Sequence, residues 1–143
     1  MGVRFFVEGS ASEEVRLTKC WIKARPEELP EGFVVRIWES ATKTGGYSII
    51  VRSDGHAKGD DAWVTIPLGE GVQLQPGKWY VIGVTVVDGQ LAANKDGAFY
   101  VETSPIVSVE PLQLKDVDDD NFTIVRVITP PLTLGINAEF EFR

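Results

Sequence analysis

Lys78-Trp79-Tyr80-Val81-Ile82-Gly83-Val84-Thr85-Val86-Val87 is the stretch on which the fold turns. Gln75-Pro76-Gly77 leads into it and Asp88-Gly89 leads out of it. The run is short and dense in β-branched residues, and turn residues stand at both ends. It therefore reads as a strand with both faces covered, at the centre of a sheet. No residue in it or beside it carries recognisable chemistry.

Working upstream, Gly69-Glu70-Gly71 and Pro76-Gly77 bracket a short strand at 72–75. A strand at 63–68 comes before it, and Pro67 marks the end of that strand as an edge. Residues 53–61 form a polar, glycine-rich loop. Phe33, Val35 and Ile37 share one face of a strand at 33–40, with Val34, Arg36 and Trp38 on the other. Thr42-Lys43-Thr44-Gly45-Gly46 turns this strand into 47–52. The strand at 15–24 slips in parity: Val15 and Leu17 against Cys20, Ile22 and Ala24. A bulge near Thr18-Lys19 accounts for the slip. Residues 25–32 connect, and 3–8 is the first strand.

Downstream, a loose segment at 91–97 leads to strands at 98–102 and at 106–114, the latter interrupted by Pro111. The acidic loop 116–120, a strand at 122–128 and the corner Pro130-Pro131 follow. Leu132, Leu134, Ile136, Ala138, Phe140 and Phe142 then alternate unbroken with polar residues and glycine. Period two over that length means a strand with one buried and one wet face. Roughly ten strands result, with no amphipathic helix between them. Parallel pairing needs long crossovers, which the chain lacks. The expected fold is all-β, an antiparallel two-sheet β-sandwich of jelly-roll-like kind, with residues 1–143 as one domain.

Composition narrows the function. Hydrophobic residues at 43% and charged residues at 24% suit a globular core rather than disorder. The net charge is −7 and basic residues are scattered, which argues against nucleic acid and membrane surfaces as partners. One cysteine, Cys20, forbids an internal disulfide framework. No signal peptide or membrane-length run is read, so the product is expected in the cytosol or as a domain of a longer chain.

Chemical candidates are few. His56 lies in a loop with Asp54, Asp60 and Asp61, but no nucleophile elbow accompanies it, and it reads as a solvated turn histidine. Cys20 reads as a small buried hydrophobe. Asp116, Asp118 and Asp120 open like a calcium loop, but Asn121 and Val127 replace the required Gly and Glu; they are weak metal candidates. No glycine loop cradles a phosphate, and no cofactor is expected. Asn121-Phe122-Thr123 is a sequon read as chance. Trp79 and Trp21 read as core, whereas Trp38, Trp63 and Tyr47 lie near polar loops and are candidates for stacking on sugar rings.

Val3-Arg4-Phe5-Phe6-Val7, Val35-Arg36-Ile37-Trp38, residues 62–68 and residues 74–84, in that order, carry a resemblance over about the first two-thirds of the chain. The pattern resembles jelly-roll-like sandwich domains of bacterial surface proteins. It is also similar to β-sandwich modules of tailed-phage virions, including head-decoration and tail proteins. Such modules generally have no catalytic residue, so the resemblance implies a non-enzymatic structural protein. Its partners would be protein subunits, as a homo-oligomer or with a capsid protein, in a virion made in the host cytoplasm. Strand addition at sheet edges suits that role, with Val3, Phe5, Val7, Pro130, Pro131, Leu134 and Ile136 as subunit-contact candidates. The alternative is a carbohydrate-binding or adhesin module of a cell surface or tail fibre, using Tyr47, Trp38 or Trp63.

Overall fold

The computed structural model describes residues 2–9, 14–23, 32–55, 63–87, 93–94, 105–128, 133–134 and 136–142. Strands account for every regular element among them: β1 (Gly2–Val7), β2 (Val15–Lys23), β3 (Gly32–Ser40), β4 (Ser48–Gly55), β5 (Trp63–Leu74), β6 (Trp79–Val87), β7 (Ala93–Asn94), β8 (Ile106–Lys115), β9 (Thr123–Val127), β10 (Thr133–Leu134) and β11 (Ile136–Phe142). Their pairing is antiparallel throughout. A six-stranded sheet runs β4-β3-β6-β1-β8-β9, and a three-stranded sheet runs β11-β2-β5. β7 and β10 form a separate two-stranded ribbon.

The central position expected for residues 78–87 holds, since β6 lies between β3 and β1. Tyr80, Ile82 and Val84 face inward with Phe33, Val35 and Ile37 of β3 and Val3, Phe5 and Val7 of β1. Val15, Leu17, Cys20 and Leu74 of the smaller sheet join the same core, and that shared filling makes the two sheets a sandwich. Phe5 stacks on Tyr80 at 5.7 Å and meets Phe140 of β11 edge-on at 5.6 Å, so one ring bridges the layers.

The parity slip of β2 is a true bulge: its register against β5 shifts between Leu17 and Lys19. Both Val15 and Leu17 before it, and Cys20 after it, are fully buried. The same bulge changes one expectation. The sequence suggests two strands separated by Gly69-Glu70-Gly71, but β5 runs unbroken from Trp63 to Leu74 and absorbs the extra residues against Thr18. Gly71 takes φ +96° at this point, and a Cβ there would lie 2.8 Å from the Arg16 side chain, so glycine is required. Pro67 does sit on an edge, because β5 ends its sheet. Pro111 does not break β8; the irregularity is instead at Ser108, with φ 57°, where the register against β1 shifts.

β1 overturns part of the subunit-contact expectation. It is paired on both sides, by β6 and by β8, and Val3, Phe5 and Val7 are at most 1% exposed. They fill the core and offer no edge. Pro130 and Pro131 lie outside the described residues. Leu134 pairs with Ala93 in the ribbon, and Ile136 opens β11, an edge strand of the smaller sheet.

Candidate binding cleft

The outer face of the six-stranded sheet is not simply wet. Trp38, Val81 and Leu112 are buried there as a second cluster, with Tyr47, Ile49, Leu114, Val117, Phe122 and Ile124 packed against them. What covers them is the β8–β9 connection. Asp116 adopts φ 52° and turns the chain off the end of β8. Asp118 Oδ1 then accepts from the backbone N–H groups of Asp120 and Asn121, each at 2.8 Å, and its own N–H donates to the Asn121 carbonyl. Asn121 Oδ1 accepts from the Phe122 N–H at 2.9 Å. These Asx contacts shape the loop and drop the Phe122 ring onto Trp38 at 4.6 Å and Tyr47 at 5.4 Å.

Asp119 fastens the loop to the sheet. Its Oδ1 accepts from Arg36 Nε at 2.7 Å and lies 3.5 Å from Arg52 Nε. Arg36 is buried and also donates to Thr85 Oγ1. The Arg36 hydrogen bond, helped by the charges of both arginines, holds the Asp119 carboxyl below the usual range against a smaller opposing effect of desolvation.

A second network holds the β3–β4 turn. Ser40 Oγ donates to the Gly45 carbonyl and accepts from the Thr42 N–H, and Thr42 Oγ1 donates to the same carbonyl at 2.8 Å. Tyr47 donates its hydroxyl to the Lys43 carbonyl at 2.7 Å. Lys43 Nζ and Arg4 Nη2 grip opposite oxygens of Glu110 at 3.0 and 3.1 Å. Partial burial pushes the Glu110 carboxyl up, but the hydrogen bonds and charges of Lys43 and Arg4 outweigh it and hold the group below its ordinary range. Lys43 also stands 5.6 Å over the Trp79 ring, which leans on Phe6. Trp79, expected in the core, is half-buried on this outer face instead.

Turn and loop face each other across a surface cleft of about 410 Å³, bounded by residues 44–47 on one side and 120–124 on the other. Of the sugar-stacking candidates, Tyr47 lines it and Trp38 does not. Trp38 is fully buried beneath Phe122 and has no face to offer a ligand, so it is core. Trp63 lies on β5, where the backbone alone is described. Phe122, Asp120 and Asn121 form the other wall, a partnership that no sequence motif announces.

The remaining candidates divide. Asp118 is spent on loop backbone and Asp119 on arginines, while Asp116 and Asp120 are exposed. Among the described residues no three His, Cys, Asp or Glu side chains come together to hold a metal, so the weak metal assignment for Asp116, Asp118 and Asp120 gains no geometry. Cys20 is fully buried, as expected, and burial pushes its thiol up to about 12. His56 lies outside the described residues. Compared with protein-family models, with curated proteins and with solved structures, the chain matches none.

Proposed function

We propose that the protein is a non-enzymatic structural module that binds other protein subunits through the edges of its sheets. The observation that carries this reading is strand β9. It closes one end of the six-stranded sheet, with β8 as its single partner among the described residues, and exposes Val125 at 47% and Val127 at 40%. Val125 is the extra residue of a bulge between Ile124 and Arg126, which turns its side chain outward. Natural sheets usually blunt such an edge with charge, and β9 carries only Arg126, whose Nε donates to Gln113 at 2.8 Å. An apolar edge left open in this way suits a second subunit.

Three of the described titratable groups are placed for structural roles. Glu110 and Asp119 are held ionised by cations, which suits anchoring more than proton transfer, and the Cys20 thiol is sealed in the core. The setting proposed for the assembly is a virion, beside a capsid protein or further copies of the chain, and it rests on the sequence resemblance.

Sedimentation velocity tests the reading. The chain is expected to run as a dimer or larger at about 100 μM, a concentration at which modest interfaces fill. Val125→Lys with Val127→Lys should return it to monomer, and that monomer should melt where the parent melts at high dilution, because both side chains face solvent in the single chain. A monomeric parent chain, or an assembly indifferent to both lysines, would refute assembly through β9.

A further inference from the structure

We infer that the cleft between the β3–β4 turn and the β8–β9 loop is a binding site for a neutral sugar ring. The walls fix the chemistry of the ligand. Tyr47 and Phe122 give an aromatic side, and Thr44, Thr123, Asp120 and Asn121 give hydroxyl, carboxylate and amide groups around it. A ligand matching them needs one apolar face and a ring of groups that both donate and accept hydrogen bonds, and a pyranose has both.

Charge excludes the main competitors. Among the described residues no cation lines the cleft: Lys43 is committed to Glu110 and Trp79, and Arg36 and Arg52 to Asp119. With Asp120 in the wall and −7 on the chain, phosphates and carboxylates are repelled. A quaternary ammonium would be drawn to Asp120, but it has no hydrogen bonds to exchange with the hydroxyl and amide groups of Thr44, Thr123 and Asn121.

The site is also built in advance. Asp118 caps the backbone of one wall, and Ser40 with Thr42 ties the carbonyl of the other, so little ordering remains to be done on binding. Asn121 uses its Oδ1 on the Phe122 N–H, which leaves its amide donors for a ligand, while Asp120 donates only its backbone to the loop. At about 410 Å³ the cleft falls within the range of small-ligand sites. This inference is independent of assembly through β9, since a monomer would present the same two walls.

A titration of the ¹⁵N-labelled chain with methyl glucoside, methyl galactoside, N-acetylglucosamine, cellobiose and lactose, with choline as a cationic control, tests it. At least one saccharide should shift resonances of residues 44–47 and 120–124 saturably. Asp120→Ala, at an exposed position, should weaken that binding about tenfold, the order expected for a lost charge-assisted hydrogen bond, with the melting temperature unchanged. Tyr47→Leu should weaken it further. No shift with any saccharide, shifts confined elsewhere, or saturation by choline instead would overturn the inference, as would full affinity in Asp120→Ala.

Discussion

A Cβ at Gly83 would stand 2.6 Å from Trp38 Cζ3 and 3.3 Å from Leu114 Cδ1. The glycine in the middle of the central strand is thus the space into which the Trp38 indole fits, and the indole is wholly buried there. Gly83→Ala should cost about 1–3 kcal/mol, the range for overpacking a filled core, as measured by urea unfolding. In a Trp38→Phe background the same change should cost less, because the smaller ring vacates the contested volume. That replacement forfeits no hydrogen bond, since the buried Trp38 Nε1 has no partner among the described residues. Gly45→Ala, with nothing within 4 Å, is the control and should stay within about 0.5 kcal/mol. Equal costs for Gly83→Ala in both backgrounds would show that the indole is not what fills the gap. Sequence reading places Trp38 on the face opposite Phe33, Val35 and Ile37, near a polar loop, and so among the candidates for stacking on a sugar. Alternation reports which face a residue shares. It does not report what lies over that face, and here the cover comes from residues more than seventy positions away.

The covering element is the β8–β9 loop, and its fastening is ionic. Asp119 and Glu110 both titrate below their ordinary ranges in the fold. Depressed folded values mean that their contribution is present above the unfolded carboxylate range and is lost as pH falls through the folded values. Stability should therefore be flat near neutrality and decline below about pH 4, where unfolded carboxylates begin to take up protons. Asp119→Asn should lower the melting temperature at pH 7 and flatten the acid limb, while the loop lifts from the sheet and Trp38 emission shifts to the red. An unchanged acid limb in Asp119→Asn would remove the latch from the account. The loop's composition was plain in the sequence, and its purpose was not. Asp116, Asp118 and Asp120 stand out as a spaced ladder, yet the residue that binds the sheet is Asp119, between them. Its partners Arg36 and Arg52 are on β3 and β4, and no local spacing connects them. The β2 bulge, by contrast, was legible because a parity slip is written within one strand. Gly69-Glu70-Gly71 misleads for a related reason: glycines signal an irregularity, and a bulge inside β5 uses them as readily as a turn.

At the scale of the molecule, the layered antiparallel plan follows from local alternation and turn residues, whereas the order of strands does not. β1 lies between β6 and β8, partners far away in sequence, and so its apolar residues fill a core where an edge was expected. That order decides which edges remain for a partner, and it is why the proposed contact is placed on β9 and not on Val3, Phe5 and Val7. It also allows a test of what drives the contact. Two copies of this chain approach with −7 each, so long-range electrostatics oppose self-assembly. Main-chain hydrogen bonds and the apolar side chains of Val125 and Val127 act only at contact and are barely touched by salt. Raising ionic strength from about 0.01 M to about 0.15 M shortens the screening length from about 30 Å to about 8 Å and removes most of the repulsion. Sedimentation equilibrium should accordingly show self-association growing tighter over that interval and then levelling off. Association that weakens steadily with salt would mean that ion pairs hold the subunits together. The open apolar edge of β9 would then have no part in the assembly.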